Sequence, residues 1–163
     1  MTAGRRRGMM GSGSAREVIV RTRDQRIAAL GKVPLLAGLS KRDLGRILQL
    51  GKEVEFTPGQ VIVAEGDRAR DFYMILLGKA DLLVPGRART TLGPGDYFGE
   101  IAVLDGGPRT ATITARTRVS ALRIDGKDFV PLLDRYGSIA RKVLVEMTKR
   151  VRAGTPKTGS ARH

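Results

Sequence analysis

Phe98-Gly99-Glu100-Ile101-Ala102-Val103-Leu104-Asp105-Gly106-Gly107-Pro108-Arg109-Thr110-Ala111-Thr112 is the stretch from which the rest of this chain can be placed. A turn at Gly93-Pro94-Gly95-Asp96 leads into it and Gly106-Gly107-Pro108 stops it, so Ile101 to Leu104 have room for one or two helical turns beginning at Gly99 or Glu100. The first amides of such a helix lack intrahelical acceptors and carry the positive end of its dipole, which suits a phosphate. Glycine at the entry lets a ligand approach the backbone. Arg109 adds a planar fork that can make two charge-assisted hydrogen bonds to phosphate oxygens, and Thr110 offers a hydroxyl to a phosphate or a base. Glu100 would repel a phosphate unless it accepts hydrogen bonds from another part of the ligand, and a sugar hydroxyl fits that role.

Phe98-Gly99-Glu100-Ile101-Ala102 followed by Pro108-Arg109-Thr110-Ala111-Thr112 resembles the phosphate-binding cassette of cyclic nucleotide-binding domains, found in catabolite activator proteins, protein kinase A regulatory subunits and gated channels. The resemblance implies that Glu100 takes the ribose 2′-hydroxyl, that Arg109 takes the cyclic phosphate, and that amides at Gly99, Ile101 and Ala102 assist. Aligned on the cassette, Leu82 and Arg89 fall where strands of the family touch the base, and an arginine there departs from the family pattern. The implied ligand is cAMP, preferred weakly over cGMP, because no guanine-specific acid is evident. A hydroxyl like that of Thr110 occurs in binders of either nucleotide. The competing reading is a helical bend between two strands, with Arg109 and Glu100 as an ordinary ion pair.

Around this stretch the apolar residues recur with a period of two from Gly51 to Ile124. Val54 and Phe56, Val61 and Val63, Phe72 to Leu77, Ala80 to Val84, Arg89 to Leu92, Ala111 to Ala115 and Val119 to Ile124 read as short antiparallel strands separated by glycine turns. Roughly eight such strands predict a mainly β fold with flanking helices, an eight-stranded jelly-roll barrel. Family glycines match Gly59, Gly78 and Gly99, and the resemblance covers about residues 30–150.

Helices are expected on both sides. Residues 16–30 form the first, ending in Ile27 and Leu30, and Val33 to Leu39 make an apolar turn. Ser40 caps a helix from Lys41 to Leu50, with Asp43 at the third position as an approximate capping box. Asp125 caps a helix through Asp134 that starts late or bends at Pro131, and Gly137 redirects the chain into Ser138 to Arg152. On that last helix Ala140, Leu144, Met147 and Val151 form a stripe with three readings: core, a short dimer seam, or a lid over the base. The resemblance favours the lid in part, because family C-terminal helices close over the ligand. Leu144, Met147 and Val151 are therefore lid candidates.

Composition sets the outer limits. In 163 residues with 41% hydrophobic and 28% charged side chains there is material for one domain with a real core. There is no cysteine, and the single histidine is His163, so thiol nucleophiles, zinc clusters and histidine metal chemistry lack their parts and no enzyme or metal site is expected. No apolar run approaches a membrane span, which favours a cytoplasmic protein. The net charge of +14 sits at the ends: residues 1–26 carry seven Lys/Arg against two acids and residues 135–163 carry eight against one. Residues 1–26 and 153–163 are accordingly read as basic flexible tails around a nucleotide-binding domain at 27–152. Such tails either keep the protein soluble or attract nucleic acid, acidic proteins or membranes. No helix-turn-helix, pseudosubstrate or membrane segment is recognisable, which leads to the expectation of a stand-alone cAMP sensor, monomeric or weakly dimeric, acting through an effector protein. The alternatives are a basic-tailed nucleic-acid-associated protein and a scaffold that has kept the fold and lost the ligand.

Overall fold

A computed structural model describes the protein over residues 22–152 and its side chains over residues 22–149, so the tail segments at 1–21 and 153–163 and the side chain of Val151 lie outside the described residues. Helix α1 (Arg23–Gly31) begins four residues inside the segment read as a tail. The cause is local: the Thr22 hydroxyl accepts from the Gln25 amide and the Gln25 side chain returns the bond to the Thr22 amide, closing a capping box. A 3-10 turn (Pro34–Leu36) follows, then helix α2 (Lys41–Leu50), whose Ser40 cap accepts from the Asp43 amide at 3.1 Å.

Eight strands come next: β1 (Lys52–Phe56), β2 (Val61–Val63), β3 (Asp71–Leu77), β4 (Ala80–Leu83), β5 (Thr90–Leu92), β6 (Tyr97–Phe98), β7 (Thr112–Ala115) and β8 (Val119–Asp125). Helix α3 (Glu100–Asp105) interrupts them between β6 and β7, and helices α4 (Gly126–Arg135) and α5 (Gly137–Arg152) close the described chain. The strands form two antiparallel sheets, ordered β1-β8-β3-β6 and β2-β7-β4-β5, which give the jelly roll as two sheets rather than one closed barrel.

Two cores explain the strand sequences. Tyr73, Ile75, Leu82, Phe98, Ile113 and Ala121 pack between the sheets, with Tyr73 stacked on Phe98 at 4.9 Å. Phe72, Met74, Leu122 and Ile124 point the other way, into Leu30, Leu36, Ile47, Phe129, Ile139 and Val143 of the helices. The β1-β8-β3-β6 sheet is thus covered on both faces, which is why β3 reads Phe-Tyr-Met-Ile-Leu without polar alternation. Gly78 ends this strand with φ +91°, and a Cβ there would collide with the Arg118 carbonyl.

Two expectations about the C-terminal helices change. Helix α4 starts on time behind its Asp125 cap, with Pro131 inside it; proline deletes a single backbone donor on the exposed side, and the helix continues. The chain turns at Tyr136 (φ −116°, ψ 87°), one residue before Gly137. Among the described residues no helix is long and apolar enough to cross a membrane.

Candidate functional site

Gly99 sets the site up. It caps α3 from the left-handed region (φ +98°), and a Cβ there would meet the Asp71 carbonyl, Nη1 of Arg109 at 2.8 Å and Cα of Phe72 at 3.3 Å. Only glycine reconciles that backbone with so close an approach. The first intrahelical bond runs from the Val103 amide to the Gly99 carbonyl at 3.1 Å, so the amides of Glu100, Ile101 and Ala102 precede it and have no acceptor within the helix. Gly106, also left-handed, ends the helix after six residues, and Arg70 reaches its carbonyl at 3.4 Å.

Arg109 is fixed at both levels of its structure. Its amide donates to the Asp67 carbonyl at 2.8 Å and its carbonyl accepts from the Gly66 amide at 2.9 Å, so the turn between β2 and β3 holds its main chain. Its side chain is buried, and Nη2 donates to the Asp71 carbonyl at 2.7 Å and Nη1 to the Gly99 carbonyl at 3.5 Å. These two bonds go to backbone carbonyls of β3 and the α3 entry. Nε is buried and has no hydrogen-bond partner among the described residues. Burial pulls the guanidinium below its ordinary pKa, against the opposing pull of Tyr73, Asp71, Asp67 and Glu100, and an arginine so placed keeps its charge. Burial, and after it Asp71, pushes the Tyr73 phenol up, so the ring beneath the site is neutral at working pH.

Glu100, the first residue of α3, is fully buried, Ala102 is buried, Ile101 is half-buried and Thr110 is exposed. These six cassette residues are contributed by one helix and the loop after it, against the Asp71 end of β3. The two base candidates part company. Leu82 is buried between the sheets, opposite Thr90 and Ile113. Arg89 is 62% exposed and lies 3.7 Å from Asp81, the carboxylate that also holds Arg116 at 3.1 Å. Asp81 neighbours Leu82 on β4 and therefore faces the other way. The structure does not bring Arg89 to Leu82.

The lid candidates are also divided. Helix α5 buries Ile139 and Val143 and half-buries Met147, while Leu144 is 61% exposed and Val145 is exposed beside it. The packed face is therefore Ile139, Val143 and Met147 rather than the stripe read through Leu144. Polar contacts missed from the sequence seat this helix on the N-terminal helices: Lys142 Nζ donates to the carbonyls of Pro34 at 3.2 Å and Ala37 at 3.0 Å, and the Tyr136 hydroxyl donates to Asp43 at 3.0 Å. Neither had a local signal, because each joins residues about a hundred positions apart.

Comparison with known proteins fits this geometry. A family model described as the cyclic nucleotide-binding domain matches residues 53–136. A candidate potassium channel protein of Rhodopseudomonas palustris is 39% identical over 118 residues, covering 70% of this chain and 28% of the relative. A cAMP-dependent protein kinase regulatory subunit of Aspergillus niger is 35% identical over 125 residues, covering 73% of this chain and 29% of the relative. The chain thus spans under a third of the length of these curated relatives. Among solved structures, the Thermus thermophilus catabolite activator protein superposes with a TM-score of 0.67 at 27% identity, covering 74% of this chain and 59% of the other. With two four-stranded sheets, the helix between β6 and β7 and a buried arginine after it, this chain belongs to the cyclic nucleotide-binding domain family.

Proposed function

We propose that the chain is a regulatory sensor of a 3′,5′-cyclic mononucleotide, preferring cAMP weakly over cGMP, and that it signals to an effector protein through α5. The observation that carries this reading is Arg109: a buried guanidinium whose Nε donor has no partner among the described residues, beside helix-entry amides that have no intrahelical acceptor. A cyclic phosphate meets all of these donors at once. Glu100 sits one residue past Gly99, where a ribose hydroxyl can donate to it. Leu82 marks the apolar wall nearest to a base in the alignment, and Thr110, exposed beside the arginine, can reach phosphate or base.

Signalling is read from the other end. Leu144 exposes apolar surface on a helix held by the narrow apolar face of Ile139, Val143 and Met147 and a few polar bonds, and a base at the open side of the cassette offers that surface something to cover. The nucleotide can shift the helix only by the difference in its affinity for the two helix positions. Calorimetric titration with cAMP, cGMP and cyclic dinucleotides tests the reading, and binding of a mononucleotide with cAMP tightest is expected. No heat and no thermal shift with either mononucleotide at millimolar concentration would overturn it.

A further inference from the structure

The groove between α1 and α2 lies outside the nucleotide site and has a character of its own. It encloses about 700 Å³, its floor is Ile27, Ala28 and Leu44, and its rim carries Arg23, Lys41 and Arg42. Gly45, in the middle of α2, makes the close crossing: a Cβ there would lie 2.6 Å from the Arg23 guanidinium and 3.7 Å from Ile27. A helix-interior glycine costs roughly 1 kcal/mol against alanine. Here it keeps the groove open and lets Arg23 lie across it. Arg23, Lys41 and Arg42 are exposed and have no hydrogen-bond or ion-pair partner among the described residues, and Asp24 is the one acid at the rim.

We propose that this groove docks an acidic, amphipathic segment of the effector protein, with one or two apolar side chains on the floor and Asp/Glu against the rim cations. Charge excludes the nearer occupants. A second copy docking like to like would set Arg23, Lys41 and Arg42 against the same cations, and residues 1–21 carry five Arg against Glu17 alone. A nucleic acid would satisfy the cations but would leave exposed Ala28, and the edges of Ile27 and Leu44 that line the groove, uncovered by apolar surface. The proposal rests on the reading that the chain has an effector, and it names the surface and the chemistry of the contact. Helix α2 carries both this groove and Asp43, the carboxylate that holds the Tyr136 turn into α5, so the surface belongs to the elements that seat α5.

The test is selection from a display library of helical peptides, using the full chain without nucleotide. Selected peptides should combine Asp/Glu with Leu, Ile or Phe at spacings of three and four. Their affinity should fall tenfold or more in the Arg23→Glu/Arg42→Glu double variant and in Ala28→Glu, and less than twofold in Lys127→Glu, a charge reversal of an exposed lysine on α4. Unchanged circular dichroism and an unchanged cAMP titration in the variants confirm that they are folded. No enrichment, peptides without acids, affinities indifferent to both groove variants, or displacement by short duplex DNA as readily as by free peptide would each overturn the proposal. If peptides bind as expected and cAMP does not, the groove stands and the sensor reading fails; the reverse result removes the groove alone.

Discussion

The cassette and helix α5 are parts of one proposed switch, and they are built differently. Gly99 and Arg109 are held through backbone: a left-handed glycine lies against the Asp71 carbonyl, and a buried guanidinium is tied to two carbonyls with its own main chain paired to Gly66 and Asp67. Helix α5 buries Ile139 and Val143, keeps Leu144 in solvent, and is steadied by Lys142 and Tyr136 through side chains. The first region is preorganised and loses little entropy on binding, whereas the second has a small apolar face that binding can reassign. A switch needs both, because a ligand site that reshaped itself would spend its binding energy before reaching the helix.

Substitutions can break or sharpen that contrast, beginning with the largest expected effect. Gly99→Val forces a β-branched residue into the left-handed region and drives its Cβ onto the Asp71 carbonyl, and strain of this kind costs roughly 1–3 kcal/mol before any clash is counted. Nucleotide affinity measured by calorimetry should fall on the order of 100-fold, and the thermal midpoint should fall with it. Arg109→Lys keeps the charge and loses the fork, so affinity should drop about tenfold or more, a charged hydrogen bond being worth roughly 1.5 to 3 kcal/mol. Glu100→Gln should lose less, and parent-like binding by both variants would sink the cassette reading.

On the α5 side the effects should be smaller and of another kind. Leu144→Ser should leave the free protein's stability within about 0.5 kcal/mol, because the side chain is already in water. If the helix covers the base, cAMP affinity should still weaken about fivefold, the equivalent of roughly 1 kcal/mol of apolar burial. Hydrogen exchange over residues 138–149 should slow on saturation with cAMP, and equal exchange in both states would return α5 to static packing. Tyr136→Phe should loosen the turn slightly, and pH gives its signature. The Ser40 hydroxyl first, and Tyr136 second, hold the Asp43 carboxyl below its ordinary range. A depressed carboxylate contributes above its unfolded pKa and stops contributing as pH falls through its folded one. The difference in thermal midpoint between parent and variant should therefore begin to shrink as pH falls below the ordinary carboxylate value of about 4 and disappear only below the depressed folded one. Arg89→Ala should change cAMP affinity less than twofold, since Arg89 faces Asp81 on the outer surface.

The sequence was most legible where one residue type has one use. Gly99 and Gly106 bracket α3 because both of its caps are left-handed, and Ser40 and Asp125 mark helix starts by their hydroxyl or carboxylate caps. It was least legible where apolar residues crowd. Val143, Leu144 and Val145 are consecutive, so helical period alone supports a stripe through 144 as well as one through 143, and only burial in the helical core chooses the latter. Arg89 shows a related limit: alignment put it on the base side, while the strand pairing Asp81↔Thr91 sets a carboxylate within its reach on the outer side. The carbonyls that hold Arg109 left no trace, since any residue supplies a carbonyl.

The strand order carries a consequence for how the protein is made. Strand β1 pairs with β8 and β2 with β7, so strands laid down early find their partners only near the end of the described chain. Pairings so distant in sequence make folding slow and leave nascent strands exposed until synthesis is nearly done. The cassette lies between β6 and β7 and is finished only when β7 closes on β2, so a nucleotide that binds the native state has no partial template to occupy. It would stabilise the completed molecule by RT ln(1 + [L]/Kd), about 2.7 kcal/mol at a hundredfold excess over Kd. The concentration of nucleotide around the protein would then set how many copies survive proteolysis as well as what each copy signals.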